Sequence, residues 1–246
     1  MKKVRILKWD SQFFGFGVAR LSSHQLLMDE LKNILAKLSE KGVKLVYWPT
    51  TQELGAGEQR AIKSLGGRRV DEKVTFSMEL GRPKSAPSLP SVKPSVGVEP
   101  YNPSMPRKDF LSLAIKSGRF SRYAIDTKIP KKLFAKLYIA WMEKSLKKEI
   151  AKEVLAVREG KRIAGMITLG EKNGRGDIGL IAVNPASRGK GYGEALVRSA
   201  HRWFIRQGFH EAQVVTQRRN SSACHLFEKC GFSVEKIEHY YHFWLR

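Results

Sequence analysis

The chain of 246 residues is long enough for one large domain or two small ones, and 42% of its residues are hydrophobic, which allows a sizeable core. Two cysteines are too few for a disulfide framework, no apolar run could span a membrane, and no signal-like segment follows the basic N-terminus, so we expect a cytoplasmic protein that does not insert into membranes. The net charge of +22 favours anionic partners, among them phosphorylated small molecules and nucleic acid.

The first 80 residues predict a mixed α/β unit. Apolar residues recur at helical spacing between Leu26 and Leu38, and Gly42 is expected to stop this helix. A strand that ends at Pro49 follows it. In chain order, the predicted elements are a strand at residues 4–7, the helix from residue 26, a strand at 43–48, a short helix at 58–65 and a strand at 70–80.

Residues 81–106 predict a linker. Seven of the ten prolines of the chain fall in this segment, and proline supplies no N–H donor to a regular hydrogen-bond ladder. We therefore predict an N-terminal α/β domain at residues 1–80 and a C-terminal domain at residues 107–246.

The C-terminal part predicts helices and strands that would build a mixed sheet with helices on both faces. Its predicted elements are helices at residues 109–116 and 131–147, strands at 154–157 and 163–169, a glycine-rich turn at 170–177, a strand at 178–183, a helix after residue 193, a strand at 212–216, a helix at 220–230 and a strand at 232–245.

The glycine-rich segment Arg188-Gly189-Lys190-Gly191-Tyr192-Gly193 stands between a predicted strand and a predicted helix. Its glycines allow a tight turn and close approach of a ligand, and the free N–H groups at the start of the helix favour a phosphate. Arg188 and Lys190 add positive charge. The segment predicts a pyrophosphate site, with a plain turn as the alternative. It lacks the Lys-Ser/Thr ending of a Walker A loop and the later acidic residue of a dinucleotide fingerprint.

Three further motifs surround this loop. Ile181-Ala182-Val183-Asn184-Pro185 precedes it, and Asn220-Ser221-Ser222-Ala223 and Lys229-Cys230-Gly231-Phe232 follow it. With the loop, they resemble the GNAT superfamily of N-acetyltransferases, whose acyl-CoA loop reads R/Q-x-x-G-x-G/A. The resemblance implies an α/β (α+β) GNAT acyl-CoA N-acyltransferase fold: a mixed sheet flanked by helices and splayed between its fourth and fifth strands, with a smaller N-terminal partial GNAT-like domain. It also implies acetyl-CoA as co-substrate and no metal.

The same resemblance implies how the coenzyme is held. The main chain of residues 181–183 would bind the pantetheine arm and polarise the thioester carbonyl, and residues 188–193 would take the pyrophosphate. The implied coenzyme-binding residues are Ile181, Ala182, Val183, Arg188, Gly189, Lys190, Gly191, Tyr192, Gly193, Asn220, Ala223 and Phe227.

The sequence indicates the general base and the general acid less clearly than it indicates the coenzyme site. A general base should remove the proton of the acceptor amine, and Glu171, Asp177 and His242 are candidates by position. The family pattern usually has a tyrosine seven residues after the asparagine, as general acid for the leaving thiolate. Here that position is Phe227, which cannot donate a proton. Water, His225, Tyr240 or Tyr241 could substitute for it, and the alternative is a less active or inactive homologue.

The acceptor is suggested by a wider resemblance. Three segments, at residues 9–15, 73–76 and 117–122, resemble the TDP-fucosamine acetyltransferase family, which acetylates the 4-amino group of a TDP-linked 4-amino-4,6-dideoxyhexose. This implies a nucleotide-sugar acceptor and a role in polysaccharide biosynthesis. Phe13 and Phe14 are candidate acceptor contacts or core aromatics, and Arg119 and Arg122 either meet the diphosphate or pair with surface acids.

Two other functions compete with this hypothesis. A GNAT enzyme could acetylate a protein N-terminus, a lysine or an antibiotic amine. A basic nucleic-acid-binding protein on a GNAT-like scaffold would explain the charge, but it leaves the ordered motifs between residues 181 and 232 unexplained. We therefore expect a small-molecule amine as partner and do not expect nucleic acid. A homodimer is an open hypothesis.

Overall fold

A computed structural model of the chain describes residues 3–23, 26–81 and 96–246. Residues 82–95 of the predicted linker at 81–106 therefore lie outside the described residues, whereas Val98–Pro100 of the same segment form a strand that pairs with residues 155–157. The strands are β1 (Val4–Ile6), β2 (Gly17–Leu21), β3 (Val43–Thr50), β4 (Gly67–Glu79), β5 (Val98–Pro100), β6 (Glu153–Glu159), β7 (Arg162–Lys172), β8 (Arg175–Val183), β9 (Glu211–Gln217) and β10 (Ser233–Trp244). The helices are α1 (Lys8–Phe14), α2 (Met28–Glu40), α3 (Ala56–Ser64), α4 (Arg107–Ser117), α5 (Arg122–Ile125), α6 (Lys131–Leu146), α7 (Tyr192–Arg206) and α8 (Ser221–Lys229).

The chain divides into two compact units. The first comprises Met1–Val74, Ile125–Lys128 and Lys236–Arg246, and the second comprises Thr75–Ala124 and Ile129–Glu235. This division differs from the sequence-based one, which assigned everything after residue 106 to a single domain. The reason lies in strand pairing: β10 runs antiparallel to β3, from His239 opposite Thr50 to Trp244 opposite Leu45, and this places the end of the chain in the first unit.

The first unit is a sheet with the strand order β1-β2-β3-β10-β4. Helix α2 buries Leu31, Leu35 and Leu38, the apolar stripe that the helical spacing predicted, in a core with Trp48 and Phe243. Strand β3 passes through Pro49, which pairs with Tyr240, instead of ending there. The expected stop was wrong because proline removes one donor from the ladder and the neighbouring residues keep the pairing.

Two elements of the first unit had no counterpart among the predicted ones. Helix α1 and strand β2 occupy the segment that contains the N-terminal aromatic residues. The ring of Trp9 stacks on Phe13 with centroids 5.3 Å apart, and Phe14 packs edge-on against Phe13 at 5.2 Å. Phe14 is buried, so for this residue the interpretation as a core aromatic is the one that agrees with the structure.

The second unit is a mixed sheet with the order β4-β9-β8-β7-β6-β5. Strand β7 pairs antiparallel with both β6 and β8, and the glycine-rich turn predicted at 170–177 is only a tight turn at Asn173 and Gly174. Met166 packs in the core with α4 and α6, while a Cβ on the adjacent Gly165 would meet Leu196 of α7. Since neighbouring strand residues face opposite sides, helices cover both faces of this sheet.

Candidate active site

A groove opens where β8 and β9 separate. The two strands pair in parallel from Gly176 opposite Ala212 to Ile178 opposite Val214, and among the described residues the pairing ends there. The remainder of β8, residues 179–183, keeps its antiparallel partner β7 on the other edge. The edge towards β9 therefore offers main-chain groups that β9 does not use, and an extended ligand can bind along it.

The groove has a volume of about 550 Å³ and lies within the second unit. Four segments line it: the end of α4 and the residues after it, the end of β8, the glycine-rich loop with the start of α7, and the exposed face of α8. Of the predicted coenzyme-binding residues, the groove brings together Ile181, Ala182, Val183, Arg188, Gly189, Gly191, Tyr192, Gly193, Asn220 and Ala223.

The loop geometry suits a pyrophosphate. Gly189 and Gly191 have φ angles of 76° and 80°, a region that residues with a Cβ adopt only with strain, and a Cβ on either would project into open space. Gly191 precedes α7 without a side-chain cap, so the first N–H groups of this helix are available to an anion. Arg188 is exposed and lines the groove, which adds a guanidinium for phosphate.

Lys190 is placed differently from the expectation. Its Nζ atom lies 2.7 Å from Oε1 of Glu159, and Lys190 is not among the residues that line the groove. Glu159 also accepts hydrogen bonds from Ser187 Oγ and Tyr192 Oη, each at 2.7 Å. The hydrogen bonds from Lys190, Ser187 and Tyr192 lower the pKa of Glu159 to about 2. Glu159 thus ties the loop to the end of β6.

Sequence reasoning missed Glu159. It precedes Gly160 at a tight turn, and its partners lie 28 to 33 residues further along the chain. A glutamate beside a turn gives no signal that distinguishes it from a solvated surface residue.

A smaller cavity of about 90 Å³, the inner cavity, lies between the separating strands β8 and β9. Residues 179–181 of β8, residues 214–217 of β9, and Asn220, Ala223 and Phe227 of the following segment line it, together with Ser117 and Tyr138. Ser117, Ile181, Asn220 and Ala223 line both this cavity and the groove, so the two spaces adjoin. Phe227 is buried and packs against Phe76 and Phe232, with ring centroids 5.9 Å away in each case.

Two of the three base candidates lie in the second unit. Glu171 is exposed on β7 and pairs with Lys152, whose Nζ lies 2.5 Å from Oε2. Asp177 accepts a hydrogen bond of 2.8 Å from Gln213 at the paired end of β8 and β9. Neither residue is among those that line the groove or the inner cavity.

The third base candidate, His242, belongs to the first unit. Its ring is buried, and Nδ1 lies 2.6 Å from Oδ2 of Asp126, which also accepts a hydrogen bond of 2.8 Å from Trp244. Burial raises the pKa of Asp126, but the hydrogen bonds from His242, Trp244 and the main chain of Lys128 outweigh it and hold that pKa below its ordinary value. The carboxylate thereby orients the imidazole.

The candidates for the missing general acid are dispersed. His225 is exposed on α8, and its Nδ1 lies 3.0 Å from the carbonyl oxygen of Ser221. Tyr240 and Tyr241 are buried in the first unit, where Tyr240 lies beside Arg20 and Tyr241 beside Trp48. Burial raises the pKa of the Tyr241 phenol. None of the three is among the residues that line the inner cavity beside Phe227.

The candidate acceptor residues fall in both units. Phe13 and Phe14 lie in the first unit. Arg119 and Arg122 lie in the second, where Arg119 lines the groove with its guanidinium carbon 4.4 Å from the centre of the Phe120 ring. Arg122 stacks in the same way on Tyr123 at 4.3 Å.

Two features are absent from residues 3–23, 26–81 and 96–246. In these segments no cluster of three or more histidine, cysteine, aspartate or glutamate side chains could hold a metal ion. No helix in them combines the length and the apolar character needed to cross a membrane.

The chain is similar to known acetyltransferases. The model of the acetyltransferase (GNAT) family matches residues 124–232. The chain is 26% identical to a dTDP-fucosamine acetyltransferase of Escherichia coli O6:H1 over 240 residues, which cover 95% of each protein. It is 32% identical to a streptothricin acetyltransferase of Escherichia coli over 79 residues, or 32% of this chain and 45% of that protein.

Solved structures share the fold. A GCN5-related N-acetyltransferase from Sphaerobacter thermophilus superposes with a TM-score of 0.66 at 17% identity, over 99% of this chain and 76% of that one. The splayed mixed sheet with helices on both faces is therefore a GNAT fold, as the motifs predicted.

Proposed function

We propose that this chain acetylates the 4-amino group of a nucleotide-linked amino-deoxy sugar. It carries a GNAT-family acetyltransferase domain and is an acetyl-CoA-dependent N-acetyltransferase. Such an enzyme would serve polysaccharide biosynthesis. The observation that carries the donor half of the proposal is the groove between β8 and α8, with the uncapped start of α7 at one end.

Each part of the groove has a distinct role in this proposal. The unpaired edge of residues 181–183 binds the pantetheine arm, and a main-chain N–H there polarises the thioester carbonyl, because a fixed donor stabilises charge that develops on oxygen. The glycine-rich loop, the first N–H groups of α7 and Arg188 hold the pyrophosphate. Glu159 keeps the loop in shape through its bonds to Ser187, Lys190 and Tyr192.

The sugar acceptor rests on the relative that matches nearly the whole chain. The 26% identity to a dTDP-fucosamine acetyltransferase spans 95% of both proteins and so includes the segments outside the GNAT domain. A second candidate function, acetylation of an antibiotic amine, is favoured by the match to the streptothricin acetyltransferase, which is confined to 79 residues. The identity of the acceptor therefore distinguishes the two hypotheses, whereas the donor groove is common to both.

The donor site is tested by calorimetric titration with acetyl-CoA. We expect wild-type binding in the micromolar range of about 1–100 µM and complete loss in Gly191→Trp, because an indole at this loop would fill the groove. Gly174→Trp is the matched control: Gly174 also has a positive φ, of 77°, and open space at its Cβ, but it lies in the turn between β7 and β8. Equal losses in the two variants would contradict the proposed coenzyme site.

The acceptor is tested by thiol release from acetyl-CoA in the presence of different amines. We expect turnover with a TDP-4-amino-4,6-dideoxyhexose and little with streptothricin or a lysine peptide. The reverse preference would replace the sugar by the antibiotic or the protein acceptor. Absence of acetyl-CoA binding by folded wild-type protein, together with steeply salt-dependent binding of DNA or RNA, would favour the nucleic-acid hypothesis instead.

A further inference from the structure

Tyr138 carries the one phenol among the residues that line the inner cavity, and it lies on α6 rather than on α8. Phe227 occupies the place where the family pattern has a tyrosine, and its buried ring carries no proton to donate. The hydroxyl-bearing or amide residues among those that line the same cavity are Ser117, Tyr138, Thr216, Gln217 and Asn220. Of these side chains, only the Tyr138 phenol is of a type that enzymes commonly use as a general acid.

The other hydroxyl groups of the cavity are used locally. Ser117 Oγ donates a hydrogen bond of 2.7 Å to the carbonyl oxygen of Ala114, within α4. Thr216 Oγ1 accepts a hydrogen bond of 3.3 Å from the side-chain amide of Asn220. These bonds hold the walls of the cavity. A phenol is a better general acid than a serine or threonine hydroxyl, so Tyr138 is the group best suited to acid catalysis.

Several contacts fix the Tyr138 ring. It is buried between Phe134 and Trp141, with centroids 5.1 Å and 5.0 Å away. The Cζ end of the ring, which bears the hydroxyl, covers Gly118 so closely that a Cβ at that position would collide with it. Gly118 therefore has to be glycine for Tyr138 to reach the cavity wall formed by its neighbour Ser117.

We propose that Tyr138 is the proton donor to the departing coenzyme thiolate and so replaces the tyrosine that Phe227 lacks. As the acceptor nitrogen forms its bond to the acetyl carbon, the carbon–sulfur bond breaks and its electron pair goes to sulfur. The Tyr138 hydroxyl gives its proton to that sulfur, and the proton that the acceptor nitrogen loses returns through solvent to the phenolate. The inference rests on the proposed acetyltransfer and specifies its acid.

The first experiment compares Tyr138→Phe with Tyr123→Phe. Both tyrosines are buried and both pack on Trp141, with Tyr123 5.9 Å from it, but Tyr123 does not line the cavity. Thiol release from acetyl-CoA is measured with hydroxylamine as a small amine that needs no acceptor pocket. We expect Tyr138→Phe to lower kcat about 10²-fold at unchanged acetyl-CoA Kd. Tyr123→Phe should match the wild type, and the same result from both variants would overturn the proposal.

A second variant tests the same idea from the other side of the cavity. Phe227→Tyr places a phenol at the family position. If Tyr138 already supplies the proton, this change should raise kcat less than about twofold in the wild type, but it should restore most of the loss in a Tyr138→Phe background. A tenfold gain from Phe227→Tyr alone would show that no acid acts now and would overturn the assignment. Wild-type protein that binds no acetyl-CoA and releases no thiol would instead refute the proposed function.

Discussion

The Nζ atom of Lys190 lies 2.7 Å from Oε1 of Glu159, so the lysine of the glycine-rich loop pairs with the end of β6, away from the residues that line the groove. The pairing changes the roles of the two cations that flank Gly189. Arg188 remains in the groove, where it can meet a phosphate directly. Lys190 instead helps Glu159 to hold the loop, together with Ser187 and Tyr192.

This difference predicts unequal effects of removing the two charges. Arg188→Met should raise the acetyl-CoA Kd about tenfold or more, because a charge-assisted bond to phosphate contributes about 1.5–3 kcal/mol. Lys190→Met should raise it less than about threefold, since it removes only an exposed ion pair. Calorimetry at one fixed ionic strength measures both. An equal or larger effect of Lys190→Met would contradict this division of roles between Arg188 and Lys190.

A second prediction concerns acid sensitivity of the first unit. Glu238 is buried on β10, which by itself would raise its pKa, but a hydrogen bond of 2.8 Å from Lys73 and the nearby Lys236 lower the pKa to about 2. A carboxylate whose folded pKa lies below its ordinary value of 4.5 stabilises the fold above that pH, and the stabilisation is lost as the pH falls towards 2.

Glu238→Gln should therefore lower the free energy of unfolding by about 3 kcal/mol at pH 7 and by less than half of that at pH 3. Urea unfolding at the two pH values measures the difference. Glu235→Gln serves as the control, because Glu235 is exposed on the same strand in an ion pair with Arg175. A Glu238→Gln effect that is independent of pH would mean that packing, rather than charge, explains it.

A third prediction concerns the buried pair of Asp126 and His242. Asp126→Asn should lower the free energy of unfolding by about 1–3 kcal/mol, because the imidazole and the Trp244 N–H lose a charged acceptor. Asp29→Asn, at an exposed position in the first turn of α2, should cost less than about 1 kcal/mol. Nitrogen NMR of His242 should show the proton on Nδ1 in the wild type, and a proton on Nε2 alone would contradict the inferred hydrogen bond.

The sequence by itself predicted the features of the proposed donor site. The order of strand, glycine-rich loop and helix depends on local chemistry: glycines that adopt positive φ, a helix start with free N–H groups, and an arginine beside them. These features lie within a few residues of one another, so the chain need not fold for them to be recognised. The helical spacing in α2 and the separation of β8 and β9 likewise agreed with the sequence-based prediction.

Only the tertiary structure decided which distant residues meet these features. Glu159 reaches Lys190 across 31 residues, Asp126 meets His242 across 116, and Tyr138 lines the cavity of Phe227 from a helix far earlier in the chain. No local pattern marks such pairs, because the partners of a carboxylate or phenol are distant in the sequence and come close to it only when the chain folds. The same holds for residues 236–246, which include most of β10. They belong to the first unit because β10 pairs with β3, and no local pattern in β10 indicates that partner.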